Sequence, residues 1–421
     1  MPLHVVLSLC FKRPMVHRFF VGACVLLGCI IVPATAAAQA EVSVDDAVRA
    51  ALARPKIEER FSAQVAGVRA ELDEATVFPT PSLGLTHEQV FGDLNVGYLE
   101  LSAMVEQRFD LSGWRGALRE SLPHRESALR AETDSWQLEA ATTVREAFYQ
   151  VRRHEERLAA LDAWITRLER GLDGIRAREQ RGHASAYQVR RIEREIELAR
   201  ATRATEASAS AEAWAELERW TPWQARPVLV GALQPPPPTR APEATPPLRP
   251  ELARLEQLEL ALDAEADAWG SPFWRGWSVG AGYRYAEVGP GSGHGVLVTL
   301  SLPLALWNTD APRVQRLRAR QLEVSSELTL RTNLVAREVD AAQERLDAAM
   351  RSLETISTPS RDAELTQLAQ VAFDAGEASL IELLDAFDSE TELQLARIDL
   401  QWEARRAAIA LDRSRGIGVP P

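Results

Sequence analysis

With 60 acidic against 48 basic side chains and a formal charge of −12, this 421-residue chain is long enough for two or three domains. Its acidity disfavours nucleic acid or anionic lipid as a partner. The three cysteines, Cys10, Cys24 and Cys29, all lie near the N-terminus, so the rest of the chain offers no disulfide framework, thiol nucleophile or Cys-metal site.

The first element in chain order reads as a secretory signal over residues 1–40. Lys12, Arg13, His17 and Arg18 form a positive region, Phe19 to Val32 an apolar one, and Ala36-Ala37-Ala38 or Ala38-Gln39-Ala40 a small-residue cleavage site. Leu26-Leu27-Gly28-Cys29 is faintly like a lipoprotein box, but the apolar run continues past Cys29. Cleavage would remove three cations and no acid, taking −12 to −15.

The remainder repeats itself. Arg54-Pro55 recurs as Arg249-Pro250, Phe78 as Phe273, Ser82-Leu83-Gly84 as Ser278-Val279-Gly280, and Gly182-His183-Ala184-Ser185 as Gly376-Glu377-Ala378-Ser379, at a steady offset of 194 to 196 residues. Two copies of one unit are expected, over 41–221 and 251–421. Each runs helix, strand pair, very long helix, turn, long helix. Between them, 222–250 holds ten prolines and is expected to be an extended connector.

In the first copy, Leu83, Leu85 and Phe91 share one face of a strand, with Ser82, Gly84, Thr86 and Glu88 on the other. Gly92-Asp93-Leu94-Asn95 turns into a second strand with Leu99, Leu101, Ala103 and Val105 on one face. From about Gly113 to Arg181 only Pro123 interrupts helical sequence, which at ~1.5 Å per residue would run on the order of 100 Å. A long helix follows from Ala184 to about Trp220, with Val189, Ile192 and Ile196 as a narrow stripe suited to a coiled-coil seam. In the second copy, Trp277, Val279, Ala281, Tyr283 and Tyr285 share a strand face. Gly289 to His294 reads as the hairpin loop, and Val296, Val298, Leu300 and Leu302 form the fourth strand's face. Helices then cover Arg313 to Ala375, interrupted at Pro359, and Ala378 to about Arg415. Leu365, Leu368 and Ala372 make another stripe.

Each strand is near the ~9–11 residues that cross a bilayer when tilted. Phe78, Phe109, Trp114, Trp274, Trp277 and Trp307 sit near the strand ends away from the hairpin tips, as an interfacial aromatic girdle would; junction core aromatics are the plainer alternative. Four strands cannot close a membrane barrel, which takes about eight or more. Open edges in lipid would strand N–H and C=O groups, so spanning strands imply an oligomer, with two copies giving eight strands and three giving twelve.

Signal, duplicated hairpin and long-helix units, and a proline-rich middle resemble the TolC-like outer-membrane efflux family. Ser43-Val44-Asp45-Asp46-Ala47-Val48 resembles its opening helix. Gln107-Arg108-Phe109-Asp110-Leu111-Ser112-Gly113-Trp114-Arg115 is similar to its strand-to-helix junction, especially in the branch paired with heavy-metal pumps. Leu302-Pro303-Leu304-Ala305-Leu306-Trp307-Asn308 is similar to the second junction. Phe373 to Ala386, containing Gly376-Glu377-Ala378-Ser379-Leu380-Ile381-Glu382, resembles its most diagnostic stretch.

The resemblance implies an α+β membrane protein: a homotrimer whose twelve strands, four per chain, form one barrel in outer-membrane lipid, continued by a helical tunnel across the periplasm. It implies an exit duct for a periplasmic adaptor and an inner-membrane pump, of resistance-nodulation-division type on the junction motifs. It places adaptor contacts at the tips, on Arg181, Gly182, Ala184, Ser185, Gly376, Ala378, Ser379 and Leu380. It places an aperture ring on Glu382 and Asp385, six and nine positions after Gly376. Three chains would gather six such carboxylates, favouring cations and raising carboxyl pKa values by mutual repulsion. Gln188, Phe373 and Ala378 depart from the family at positions that tie its tips together, so no polar lock is expected through them.

Other classes explain less. An enzyme lacks a pocket that would tune Glu382 and Asp385, and no catalytic set, cofactor site or metal relay is evident among His87, His124, His154, His183, His294, Met104 and Met350. A periplasmic coiled-coil structural or adaptor protein would explain the helices but not the four alternating runs. Type I protein secretion is the nearest alternative for a duct.

Overall fold

The computed structural model describes residues 41–90, 97–236, 249–270, 276–302, 310–356 and 359–419, with side chains described for all but 359–364. The expected leader, the Gly92–Asn95 turn, Trp274, Phe273, Trp307 and most of the second junction lie outside the described residues. In order the elements are β1 (Glu41–Val42), α1 (Val44–Leu52), α2 (Pro55–Thr76), β2 (Ser82–Val90), β3 (Tyr98–Phe109), α3 (Trp114–Glu120), α4 (Leu122–Glu179), α5 (Ala186–Trp220), β4 (Val228–Leu229), α6 (Pro250–Trp269), β5 (Trp277–Val288), β6 (Gly291–Ser301), α7 (Ala311–Ile356), α8 (Pro359–Ala375) and α9 (Leu380–Ser414). Helix, hairpin, long helix and returning helix therefore occur twice in the same order.

Local chemistry sets the boundaries. The repeated Arg-Pro places Pro55 and Pro250 in the first turns of α2 and α6, where the missing N–H costs nothing. Ser43 caps α1 in a reciprocal box with Asp46. Pro123 lies in the first turn of α4, so the long helix starts afresh after Ser121. At 58 residues α4 spans about 87 Å at ~1.5 Å per residue.

Three helices share the body. In the central cluster Val144, Phe148 and Val151 of α4, Trp214 and Leu217 of α5, and Trp402 and Ile409 of α9 are buried with Ala47, Val48 and Ala51 of α1. The connector contributes here. β4 pairs parallel to β1, Glu41 opposite Val228 and Val42 opposite Leu229, and buries Leu229 and Leu233 in this cluster. The segment expected to be simply extended thus adds a strand to the core, and its carbonyls at 232, 233 and 234 all accept from the Arg405 guanidinium. Beside this core, His154 Nδ1 meets Glu206 at 2.6 Å, Arg157 bridges Glu206 and Asp399 at 3.0 and 2.8 Å, and Arg153 also reaches Asp399. Charge pairing therefore crosses α4, α5 and α9 at one level.

The sheet is antiparallel, in order β2-β3-β5-β6. The two hairpins are joined by β3 and β5, in register from Tyr98 opposite Val288 to Phe109 opposite Trp277. The second hairpin turn is shorter than expected. Val288 faces Gly291 across a two-residue Gly289-Pro290 turn, and Gly291 to His294 belong to β6. A glycine with positive φ (58°) at the first turn position matches the strand twist and allows so tight a return.

Candidate functional site

Register brings the apolar positions of all four strands onto one face. Leu83, Val105, Ala281 and Val298 form one row, Leu85, Ala103, Tyr283 and Val296 the next, and Gln107, Val279 and Leu300 flank them. Most of this face is uncovered: Leu85, Val298 and Val296 are 75 %, 75 % and 80 % exposed. Soluble surfaces rarely leave contiguous apolar patches beyond a few hundred Å². The opposite face carries Glu106, Thr86, Ser102, Arg284, Glu88 and Glu100, with Arg284 paired to Glu100 at 2.8 Å. Gly280 and Gly282 let β5 pass beneath Met104, since a Cβ on Gly282 would stand 2.5 Å from the Ala103 carbonyl and 2.9 Å from Met104 Cα. Among the described residues, strands β2 and β6 each keep one open edge.

The expected girdle residues divide at the base of this sheet. Phe78 and Phe109 meet edge-on at 6.0 Å and stay exposed, and Trp277 lies opposite Phe109. Trp114 instead stacks on Trp269 at 4.8 Å and packs with Leu72, Leu118 and Ala268, where helices α2, α3 and α6 converge. The Arg115 guanidinium lies 6.0 Å from the Phe78 ring and 5.3 Å from that of Trp114, tying the two groups together. Trp269 was not anticipated from sequence; its position at the end of α6 was the only signal.

At the other end both helical hairpins close by the same device. Gly182 and Gly376 take φ of +76° and +80°, where an L side chain is strained, and end α4 and α8. His183 N–H donates to the Arg178 carbonyl and Glu377 N–H to that of Ala372, the six-to-one bonds of a Schellman turn. Ser185 and Ser379 then cap α5 and α9 in reciprocal boxes with Gln188 and Glu382. Beneath the tips, Ile165, Leu168, Leu172 and Ile175 mesh with Val189, Ile192, Ile196 and Ala199, and with Leu380, Leu383, Leu384 and Phe387. Leu380, expected on the contact surface, is thus turned inward, and Ala184 packs against the same cluster. The apolar side chains that the tips leave outside are Tyr187 and Ile381, 71 % and 67 % exposed. Arg181, Ser185 and Ser379 are exposed, and Ala378 is half-buried.

Glu382 and Asp385 are both exposed, three residues apart on one face of α9. In the single chain Glu382 is held below the usual carboxylate range, because the Ser379 backbone N–H and hydroxyl hydrogen-bond to it; the repulsion expected of a ring acts in the other direction. One turn further on, Asp388 is pushed up to about 6, first by burial and then by Glu195, Glu392 and Asp385, against the pull of Arg191. Sequence reading passed over Asp388, whose surroundings come partly from α5. It also missed a tie between the hairpins. Arg178 of α4 donates to Asp374 at 3.1 Å and to the Phe373 carbonyl at 3.2 Å, and its guanidinium lies 4.4 Å from the Phe373 ring. Gln188 is occupied in its capping box, so of the three family-lock positions only Phe373 takes part in this tie, through its carbonyl and ring.

Among the described residues the stripe Leu365, Leu368 and Ala372 gains no seam partner: Leu365 and Leu368 are exposed together with Val371. Helix α8 packs inward through Ala369 and Phe373 instead. Among the described residues no helix is long and apolar enough to cross a membrane.

Comparison with solved structures gives this geometry its context. The chain is similar to CusC, described for its transmembrane channel formation, at TM-score 0.66 and 14 % identity over 90 % of this chain and 94 % of that one. It is similar to the outer membrane protein VceC of Vibrio cholerae at TM-score 0.65 and 14 % identity, covering 90 % and 97 %. Against the open state of the Neisseria gonorrhoeae outer membrane channel MtrE the TM-score is 0.64, with 18 % identity and 89 % of both chains covered. This chain has the fold of those channels. No family model and no curated protein sequence matches it. The helix-rich α+β architecture implied by the TolC-like resemblance is therefore present over nearly the whole chain, at identities that speak for the fold alone.

Proposed function

We propose that the chain is a TolC-like outer-membrane duct, a passive exit for substrates handed on by a periplasmic adaptor and an inner-membrane pump, and not an enzyme. The observation that carries this reading is the sheet: a largely exposed apolar face, a polar face behind it, and, among the described residues, an open edge on either side. In lipid each unpaired backbone group costs several kcal/mol, so such a sheet is sustained only by closure with further copies. Three chains give twelve strands, the arrangement that the resemblance implies, with the Arg284–Glu100 face lining the lumen. The two similar units, 41–221 and 251–421, then act as paired staves, and the helices extend the wall into the periplasm. The exposed stripe on α8 supports contacts between neighbouring chains.

In this reading the tips around Arg181 to Tyr187 and Ala375 to Ile381 meet the adaptor, with Tyr187 and Ile381 as the apolar anchors. Glu382 and Asp385 from three chains ring the narrow end. The pump class is proposed as resistance-nodulation-division on the strength of the junction motif at Gln107 to Arg115. The test is fractionation of the expressed protein. A species in the outer-membrane fraction that migrates as a trimer and shifts to a single-chain position on boiling is expected; a soluble periplasmic chain would sink the proposal.

A further inference from the structure

A cavity of about 470 Å³ opens between α4, α8 and α9 just inside the tips. Its size falls within the range of small-molecule sites, about 300–1,000 Å³. Three arginines of α4 reach it, Arg167, Arg170 and Arg178, against two acids, Glu390 and Asp374. Both acids are already engaged. Glu390 pairs with Arg167 at 2.7 Å, and Asp374 with Arg178 at 3.1 Å and with the Gln370 amide at 3.0 Å. Arg170 is exposed and has no acidic partner among the described residues. Among the described residues the site thus holds one cation in excess.

The remaining wall is mixed: Phe373, Phe387 and Leu383 give it an apolar side, and Thr366, Gln367 and Gln370 of α8 a polar one. Gly171 and Gly174 line the α4 side, and a Cβ on Gly174 would meet nothing within 4 Å. Glycine is a poor residue for a helix interior, at roughly 0.5–1 kcal/mol against alanine. Here its small size leaves the pocket open beside the arginines.

We propose that this pocket is a binding site for an organic monoanion with an apolar body, a carboxylate or sulfonate whose charged group meets the Arg170 guanidinium while its ring or chain lies against Phe373 and Phe387. A net charge of one selects a monoanion, and the aromatic wall selects an amphiphile over an inorganic ion. Because the pocket is built from α4 together with α8 and α9, an occupant bridges the two helical hairpins on the side where Arg178 already ties them. The site belongs to one chain, so its failure would leave the duct reading untouched.

The test is ligand-observed fluorine NMR with the full chain in nanodiscs, titrated with 4-(trifluoromethyl)benzoate and, separately, with the neutral 4-(trifluoromethyl)benzyl alcohol. Saturable binding of the benzoate at one site per chain is expected, with the alcohol at least about tenfold weaker, as loss of a charged hydrogen-bonding group predicts. Arg170→Gln should weaken the benzoate by a similar factor. Gly174→Leu should abolish binding by filling the cavity, while leaving circular dichroism and trimer migration unchanged. No saturable binding, equal affinity for the alcohol, or affinity unaltered in both variants would overturn the proposal.

Discussion

At the scale of single residues, the carboxylates of α9 show how one helix face gives similar groups different properties. Glu382 is held low by its cap, whereas Asp388, two turns away, is lifted to about 6 by burial and by Glu195, Glu392 and Asp385. A raised carboxyl pKa means that the folded chain holds the proton more tightly than the unfolded chain, whose aspartate titrates near 3.8. Charged Asp388 therefore costs stability above about pH 6, and the cost disappears as pH falls from there to about 4. Asp388→Asn is expected to raise the thermal midpoint at pH 7.5 and to lose that advantage at pH 4, read by circular dichroism at both values. Equal midpoints at pH 7.5 would count against the assignment. Glu382 and Asp385 were legible in the sequence from their spacing after a glycine. Asp388 and the Arg178–Asp374 tie were not, because their partners lie about two hundred residues away in the chain or on another helix.

At the scale of elements, alternation exposed all four sheet strands, since a period of two with one oily face is a strong signal over nine or more residues. The β1–β4 pair escaped notice because two residues carry no period. The hairpin loop at Gly289 was read too long, as glycines that let β6 lie close and exposed look like turn residues in a sequence. Glycine at 282 has a different task, admitting the backbone of β3. Gly282→Ala places a carbon 2.5 Å from the Ala103 carbonyl, so β3 and β5 must part locally. Because these strands join the two hairpins, a marked loss of the trimer band in unboiled samples is predicted on semi-native gels. Gly293→Ala, which meets nothing within 4 Å, serves as the silent control. The helical caps make a milder forecast: Ser379→Ala removes the α9 cap and should cost about 1 kcal/mol in unfolding free energy, measured by denaturant titration.

At the scale of the whole molecule, the fold was legible because duplication let each half corroborate the other, while the proposed closure of three chains around a pore is carried by no single-chain contact. The proposed acidic ring has a measurable consequence. Glu382→Gln combined with Asp385→Asn should reduce cation selectivity in planar bilayers, because the carboxylates supply the potential at the constriction. Unchanged reversal potentials would refute that role. Glu382→Gln keeps an oxygen able to accept from Ser379, so the cap survives and the readout reports charge.

The open edges of β2 and β6 also bear on inheritance. If every chain must lend one edge to each neighbour, a single defective copy spoils the ring for two sound ones. A proline placed mid-β6, at Val296→Pro, removes a ladder donor at that edge. Expressed in equal amount beside the intact chain and mixing at random, it would leave only about one ring in eight wholly sound. Such an allele is expected to be dominant, with duct activity falling far below half, whereas a chain that failed before assembly would be recessive. Dosage in a merodiploid thus reads the geometry of a strand edge.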